Sequence, residues 1–233
     1  DTAGLFHCLG DGTDARLGVG PSSLGESCGG APCTSVFEQE MNSDLADAAF
    51  FDDGGCFGVG DGVACAGRND LGQGGFPPRD ALVTVTLRYA DATFHPLDVD
   101  AGVAHVCALT DTRQVLCWGL GAHGELGVDP GQLDDCGAAS AAQAARLEVA
   151  VGATIRCTPA PRLVPGITDA VGLATTNFGT CVLRATGELR CFGSNAYAAL
   201  GAPTTSGSLV TPTRIDVDDV VAIDANDENL CAL

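Results

Sequence analysis

Four times along the chain a cysteine is followed by glycine two and ten residues later: "CLGDGTDARLG" from Cys8, "CAGRNDLGQGG" from Cys65, "CWGLGAHGELG" from Cys117 and "CFGSNAYAALG" from Cys191. Nothing else in the sequence restricts the fold as much. Glycine at a fixed offset marks backbone that needs a positive φ, or that lies too close to a neighbour to admit a Cβ. The marker cysteines lie 57, 52 and 74 residues apart, and 50 more residues lead through the joined termini back to the first. A period near fifty is the signature of a propeller or solenoid.

Each marker has a companion. Cys56 stands nine residues before Cys65, Cys107 ten before Cys117 and Cys181 ten before Cys191. That spacing places both cysteines face to face across a β-hairpin with a short turn. Cys181 opposite Cys191 puts Val182 opposite Arg190 and Leu183 opposite Leu189, with Gly187 in the left-handed turn position. Writing the C-terminal "NLCAL" before the N-terminal "DTAGLFHCLG" separates Cys231 from Cys8 by the same ten steps. The spacing therefore predicts disulfides Cys56–Cys65, Cys107–Cys117, Cys181–Cys191 and Cys8–Cys231. The four cysteines left over form internal staples, Cys28–Cys33 and Cys136–Cys157, in two long insertions. Apolar runs before and after each hairpin bring every repeat to about four short strands. The reading is all-β: one domain over 1–233, with repeats at 220–233 plus 1–44, 45–95, 96–166 and 167–219. Only "GAASAAQAARLEVAVG" (137–152) suggests a helix.

Thirty acidic residues against eleven basic ones, all arginine, give a formal charge of −19. A polyanionic surface repels phosphate backbones and anionic membranes, which argues against nucleic acid as a partner and against membrane insertion. No apolar run approaches membrane-spanning length. Twelve cysteines at hairpin rather than zinc-knuckle spacing predict an oxidising compartment and a processed, secreted or cell-surface chain.

The segment "VAHVCALTDTRQVLCWGLGAHGELG" (103–127) resembles the repeat of the regulator of chromosome condensation (RCC1) family, in the secreted bacterial form that carries the same cysteines. The resemblance implies a β-propeller with one four-stranded blade per repeat. Four repeats then predict four blades, closed by pairing of the N- and C-terminal strands. A larger ring or an extracellular fibre assembled through the termini is the alternative.

Catalytic constellations are scarce. No zinc-protease, nucleophile-elbow or phosphate-loop pattern occurs. Of the histidines, His7 and His105 belong to hairpin strands, and His95 and His123 lie near loops. Asp216 and Asp218, two apart on an expected strand within the acidic run 215–229, are the candidates for calcium, beside the acidic runs 98–102 and 133–137; none has calcium-loop spacing, and a solvated surface is the better account of all of them. Trp118 occupies the position of Phe192, Leu9 and Ala66 in the other copies, which assigns it to packing between blades. Features unique to one repeat are better functional candidates: the insertion 21–40, followed by Met41, and the loop 131–158. The reading is a disulfide-stabilised module, not an enzyme and without a cofactor, that binds a protein, a cell-surface polymer or further copies of itself. Enzyme inhibition and action on polysaccharide are the remaining alternatives.

Overall fold

The structure is a computed structural model that describes residues 10–11, 26–28, 31–34, 45–51, 54–59, 62–75, 85–86, 94–203 and 207–233. Its strands are β1 (Gly10–Asp11), β2 (Glu26–Cys28), β3 (Ala31–Thr34), β4 (Leu45–Phe51), β5 (Gly54–Val59), β6 (Gly62–Gly67), β7 (Val85–Thr86), β8 (Pro96–Ala101), β9 (His105–Thr110) and β10 (Val115–Leu120). The chain continues through β11 (Asp134–Ala138), helix α1 (Ala141–Leu147), β12 (Thr154–Leu163), β13 (Ala170–Thr176), β14 (Gly179–Arg184), β15 (Leu189–Ser194), β16 (Ser208–Arg214), β17 (Ile223–Ala225) and β18 (Leu230–Ala232).

Three antiparallel meanders form the body. Strands β4 to β7 make one sheet and β13 to β16 another. Between them lies a sheet of β8, β9, β10 and β12 in order, with β11 added at its outer edge. At the middle of each, a hairpin puts its cysteines directly opposite, Cys56 with Cys65, Cys107 with Cys117 and Cys181 with Cys191. The first strands of successive sheets, β4, β8, β13 and β17, lie side by side, so the sheets follow one another like leaves around a common edge.

The recurring glycines mark where neighbouring strands of one sheet come too close for a side chain. Two residues past the marker cysteine, Gly119 has φ of +93° and Gly193 of +107°. Each sits where the register with the next strand, β12 for Gly119 and β16 for Gly193, shifts. A Cβ on Gly193 would lie 2.6 Å from the Cα of Gly179, so both causes of a fixed glycine act here at once.

Cohesion between sheets comes from the residue after the cysteine. Trp118 is fully buried in an apolar cluster with Phe51, Val63, Val99 and Val106, which joins the β4–β7 sheet to the next. Phe192, its counterpart, is buried with Leu109, Val115, Leu126 and Val164 between the following pair. The Trp118 Nε1 also donates to the Gln73 carbonyl at 3.0 Å, in the loop that follows the preceding hairpin. Helix α1 begins with a capping box, Ser140 with Gln143, and its Arg146 reaches Asp70 of that same preceding loop at 2.7 Å. Burial alone would raise the Asp70 carboxyl, yet its hydrogen bonds from Gln73, Arg146 and Gln143 outweigh that and hold it below the usual range.

The expected ring is not formed. Among the described residues no sheet closes into a propeller, and no sheet contains strands from both ends of the chain. At the tail, β17 pairs with β18, with Asp224 opposite Cys231, and with no other strand among the described residues. At the head, β1 pairs with β3, Gly10 opposite Thr34. Entropy favours this outcome, since closing a loop roughly ten times longer costs about 2 kcal/mol more. Strand β1 finds a partner close by in sequence, and among the described residues the terminal hairpin of the four-bladed prediction has no counterpart.

Candidate functional site

A cavity of about 480 Å³ lies between the face of the β13–β16 sheet and the β17–β18 hairpin. Its floor is apolar: Leu189 from β15, Leu200 from the loop after it and Ile215 just past β16, all buried. Its rim is acidic. Glu148 from the turn after α1, Asp216, and Asp227 with Glu228 from the β17–β18 turn all line it, and all four are exposed.

One wall is a stiff loop. Asn195 accepts from the Leu200 N–H at 3.2 Å and donates through Nδ2 to the carbonyls of Ala202 and Pro203, so a single buried amide organises the whole turn. The turn holds Tyr197 at φ of +55° with its side chain 99% exposed at the mouth of the cavity. A left-handed, fully exposed aromatic side chain contributes nothing to the core, and such positions recur at binding sites.

The titratable interior, by contrast, serves packing. Asp47 on β4 accepts from the Val99 N–H at 2.8 Å, and Asp100 on β8 accepts from the Thr175 N–H at 2.7 Å, so each carboxylate ties its sheet to the first strand of the next. Burial, the hydrogen bond with Asp47 and the charges of Asp47 and Asp100 push Asp98 up to about 7. Deeper still, His105 is fully buried with Nε2 3.0 Å from the Thr180 hydroxyl, which itself donates to the Glu125 carbonyl. Burial pushes the His105 imidazole down to about 3.

Glu125 occupies the position that Gln73 holds one repeat earlier. The Gln73 Oε1 accepts from the Leu71 N–H at 2.9 Å, and the Glu125 Oε2 accepts from the His123 N–H at 2.7 Å. The Gln73 amide nitrogen finds Asp70, whereas Glu125 Oε1 has no partner among the described residues. Burial pushes the Glu125 carboxyl up, against the opposing pull of His123. A carboxyl raised on folding binds more protons in the native state, so its contribution to stability is present below the unfolded value near 4.5 and is lost as pH climbs through the folded value. Glu125→Gln is therefore expected to become steadily more stable than the wild type above about pH 4.5, levelling off once Glu125 is ionised in the folded chain. Denaturant melts of both proteins from pH 4 to 9 check this, because the slopes from His105 and Asp98 cancel in the difference. A difference that stays flat with pH would contradict it.

The structure bonds Cys56 to Cys65, Cys107 to Cys117, Cys136 to Cys157 and Cys181 to Cys191. Cys231 is exposed and has no disulfide partner, so the expected Cys8–Cys231 bond does not close the molecule. The side chains of Cys8, Cys28 and Cys33 lie outside the described residues, as do His7, Met41 and most of the insertion 21–40. The strand expected to carry Asp216 and Asp218 ends at Arg214. Asp216 faces the cavity, while Asp218 is paired with Arg214 at 2.5 Å. Among the described residues no group of three or more metal-ligating side chains comes together. His123 is held by the Leu147 carbonyl at 2.9 Å, and His95 is exposed. The acidic run 215–229 contains three of the four rim carboxylates; their convergence with Glu148 and Tyr197 depends on three segments far apart in sequence, which spacing does not reveal.

Residues 97–125 match the family model of the regulator of chromosome condensation (RCC1) repeat. No curated protein sequence matches the chain. Among solved structures, yeast RCC1 (Prp20) bound to Kap60 matches with a TM-score of 0.72 and 14% identity, covering 97% of this chain and 48% of that one. Prp20p of Saccharomyces cerevisiae, in a structure concerned with its binding to Gsp1p and histones, gives 0.69 and 16%, covering 97% and 50%. Human WBSCR16 gives 0.69 and 18%, covering 97% and 53%. The chain thus spans about half the length of these relatives. At such identities the likeness is one of fold, and it corrects two expectations. The relatives matched over nearly the whole chain are yeast and human proteins rather than the secreted bacterial type. The secreted or cell-surface placement, read from the cysteines and that type, is overturned with it. What stands is an all-β, multi-sheet arrangement similar to that of RCC1, carried by a chain whose residues 97–125 match the RCC1 repeat.

Proposed function

We propose that the chain is a non-catalytic protein-binding module built from disulfide-pinned sheets. The observation that carries this reading is the cavity at the end of the sheet array, with a buried apolar floor, a rigid exposed tyrosine and a charged rim. Apolar anchors surrounded by polar groups are the anatomy of a protein interface. The fold adds support by analogy, since the yeast relative is described bound to Kap60 and in terms of its binding to Gsp1p and histones. The rim carboxylates are exposed, and the two buried groups with shifted titration, His105 and Glu125, lie between sheets rather than at the cavity. An inhibitor built on aromatic loops fits poorly with nine Phe, two Tyr and one Trp. Assembly of copies through the termini has to overcome the repulsion of chains carrying −19 each.

Affinity capture with the intact chain, followed by titration calorimetry with each purified candidate, tests the proposal. The expected result is a protein that binds the isolated chain with a dissociation constant in the micromolar range or tighter. Turnover of a polysaccharide or ester panel, without any saturable protein partner, would overturn it.

A further inference from the structure

We infer that the Cys136–Cys157 disulfide is a redox latch: a dithiol reductant opens it while the three hairpin disulfides stay closed, and its opening frees β11 and α1 from the sheets they tie together. The inference is independent of the cavity and of the protein-binding reading above.

Access selects this bond. Both cysteines of each hairpin pair are buried at the middle of a sheet, none of them more than 1% exposed. Cys157 is buried as well, but Cys136 is partly exposed, on the outermost strand of the middle sheet. Thiol–disulfide exchange needs an attacking thiolate to reach one of the two sulfurs, so the accessible pair reacts first. The first thiolate of the reductant attacks Cys136 Sγ, and the S–S electron pair leaves on Cys157 Sγ, which takes a proton. The second thiolate then displaces Cys136 and closes the disulfide of the oxidised reductant. Cys136 takes up a second proton, so two electrons and two protons have entered the protein.

What the latch holds follows from the ladder beside it. Strand β11 meets β12 with Asp134 opposite Cys157 and Asp135 opposite Arg156, and the register then shifts before Ala138 meets Thr154. The disulfide stands at that irregularity, where the ladder restrains the edge strand least. Beyond it, Gly137 at φ of +102° and Gly152 at +79° bracket α1, and a Cβ on either would meet nothing within 4 Å. Packing therefore does not call for these two glycines; the left-handed backbone does, and it leaves both feet of the segment able to turn.

Between the two feet, α1 seats Ala144 and Leu147 in an apolar cluster with Leu71, Ala104, Leu120 and Ile155. Leu71 belongs to the loop after β6. Helix α1 fastens to the same loop again through Arg146 and Gln143, which donate to Asp70 at 2.7 and 3.4 Å. Segment 137–152 is thus a strap from the middle sheet to the sheet before it. Released, it bares the apolar seat and loosens one of the ties between those sheets.

The test incubates the native chain, with its free thiols first blocked, with dithiothreitol for graded times, then quenches in acid, alkylates the new thiols in denaturant and maps them by mass spectrometry. Cys136 and Cys157 are expected to become labelled together, at least tenfold faster than any hairpin pair. In the chain opened there alone, amide exchange over 134–147 is expected to rise about a hundredfold, the effect of freeing a loop of 21 residues. Trp118 emission is expected to stay blue-shifted throughout. The double variant Cys136→Ser, Cys157→Ser should show the same exchange pattern without reductant. Hairpin pairs that open as fast would overturn the proposal, because the bond would then be one staple among equals. Exchange over α1 that does not move, after selective opening or in the double variant, would also overturn it, since the bond would restrain nothing. Trp118 emission that reddens as Cys136 and Cys157 open would assign the bond to support of the whole fold and overturn the latch as well.

Discussion

With its disulfides reduced, the chain is expected to lose its cooperative unfolding transition near neutral pH. The four bonds seen in the structure close loops of 9, 10, 21 and 10 residues. Loops of that size contribute about 2 to 3 kcal/mol each through the entropy of the unfolded chain. The four loops share no residues, so their contributions add to about 10 kcal/mol, which is comparable with the whole net stability of a folded protein, about 5 to 15 kcal/mol. Trp118, the one tryptophan, is buried between two sheets and reports on their docking. Its emission should be blue-shifted and should redden in a single cooperative step for the oxidised chain. After reduction it should be red-shifted already in the absence of denaturant. A reduced chain that kept its melting temperature within a few degrees would show that the sheets hold without their pins. Replacing Cys107 and Cys117 together by serine is expected to remove about 2 to 3 kcal/mol and leave a folded but weakened protein.

Trp118→Ala should be the most damaging single substitution among the core positions. Truncating a fully buried aromatic side chain costs about 3 to 5 kcal/mol through lost transfer energy and the cavity left behind. Here the substitution also strips the Gln73 carbonyl of its indole donor, and that carbonyl belongs to the loop by which the preceding sheet docks. Trp118→Phe separates the two effects, since it keeps an aromatic ring and loses the N–H, at about 1 to 2 kcal/mol. Calorimetric melts of the three proteins give the differences. Hydrogen exchange should show lost protection in β5, β6 and β10 together, because Trp118 joins their sheets. A loss below about 1 kcal/mol for the alanine variant would remove the account of docking by the residue after the marker cysteine.

Much of this was legible in the sequence because the repeat reads itself out in glycines and cysteines. The hairpin at Cys181 and Cys191 has the register the spacing predicts, Val182 opposite Arg190 and Leu183 opposite Leu189, with Gly187 at φ of +80° in the turn. Trp118 and Phe192 share one structural job because they share one place in the repeat. The helix suggested within 137–152 is α1, at Ala141–Leu147. The ring was misread for a physical reason. Cysteine spacing is a local rule about two strands of one hairpin, and joining the ends extended it to strands that no short turn connects. Among the described residues β1 pairs with β3 instead, and the tail strand β18 with β17. The cavity was the least visible feature. Its floor comes from β15 and the segments after β15 and β16, its rim from turns after α1 and β17, and only three-dimensional packing brings these together. The fully buried Glu125 hides in plain sight as well, since nothing but alignment with Gln73 marks an acid in a position built for an amide.

The central claim is that each sheet is pinned within its own hairpin and that Cys231 stays outside any disulfide. Peptide mapping of the native, unreduced chain, with free thiols labelled before digestion, tests it most directly. The account predicts linked peptides for Cys56 with Cys65, Cys107 with Cys117, Cys136 with Cys157 and Cys181 with Cys191, and rapid labelling of Cys231. Cys231 recovered in a disulfide, or any of the three hairpin pairs exchanged between sheets, would contradict it.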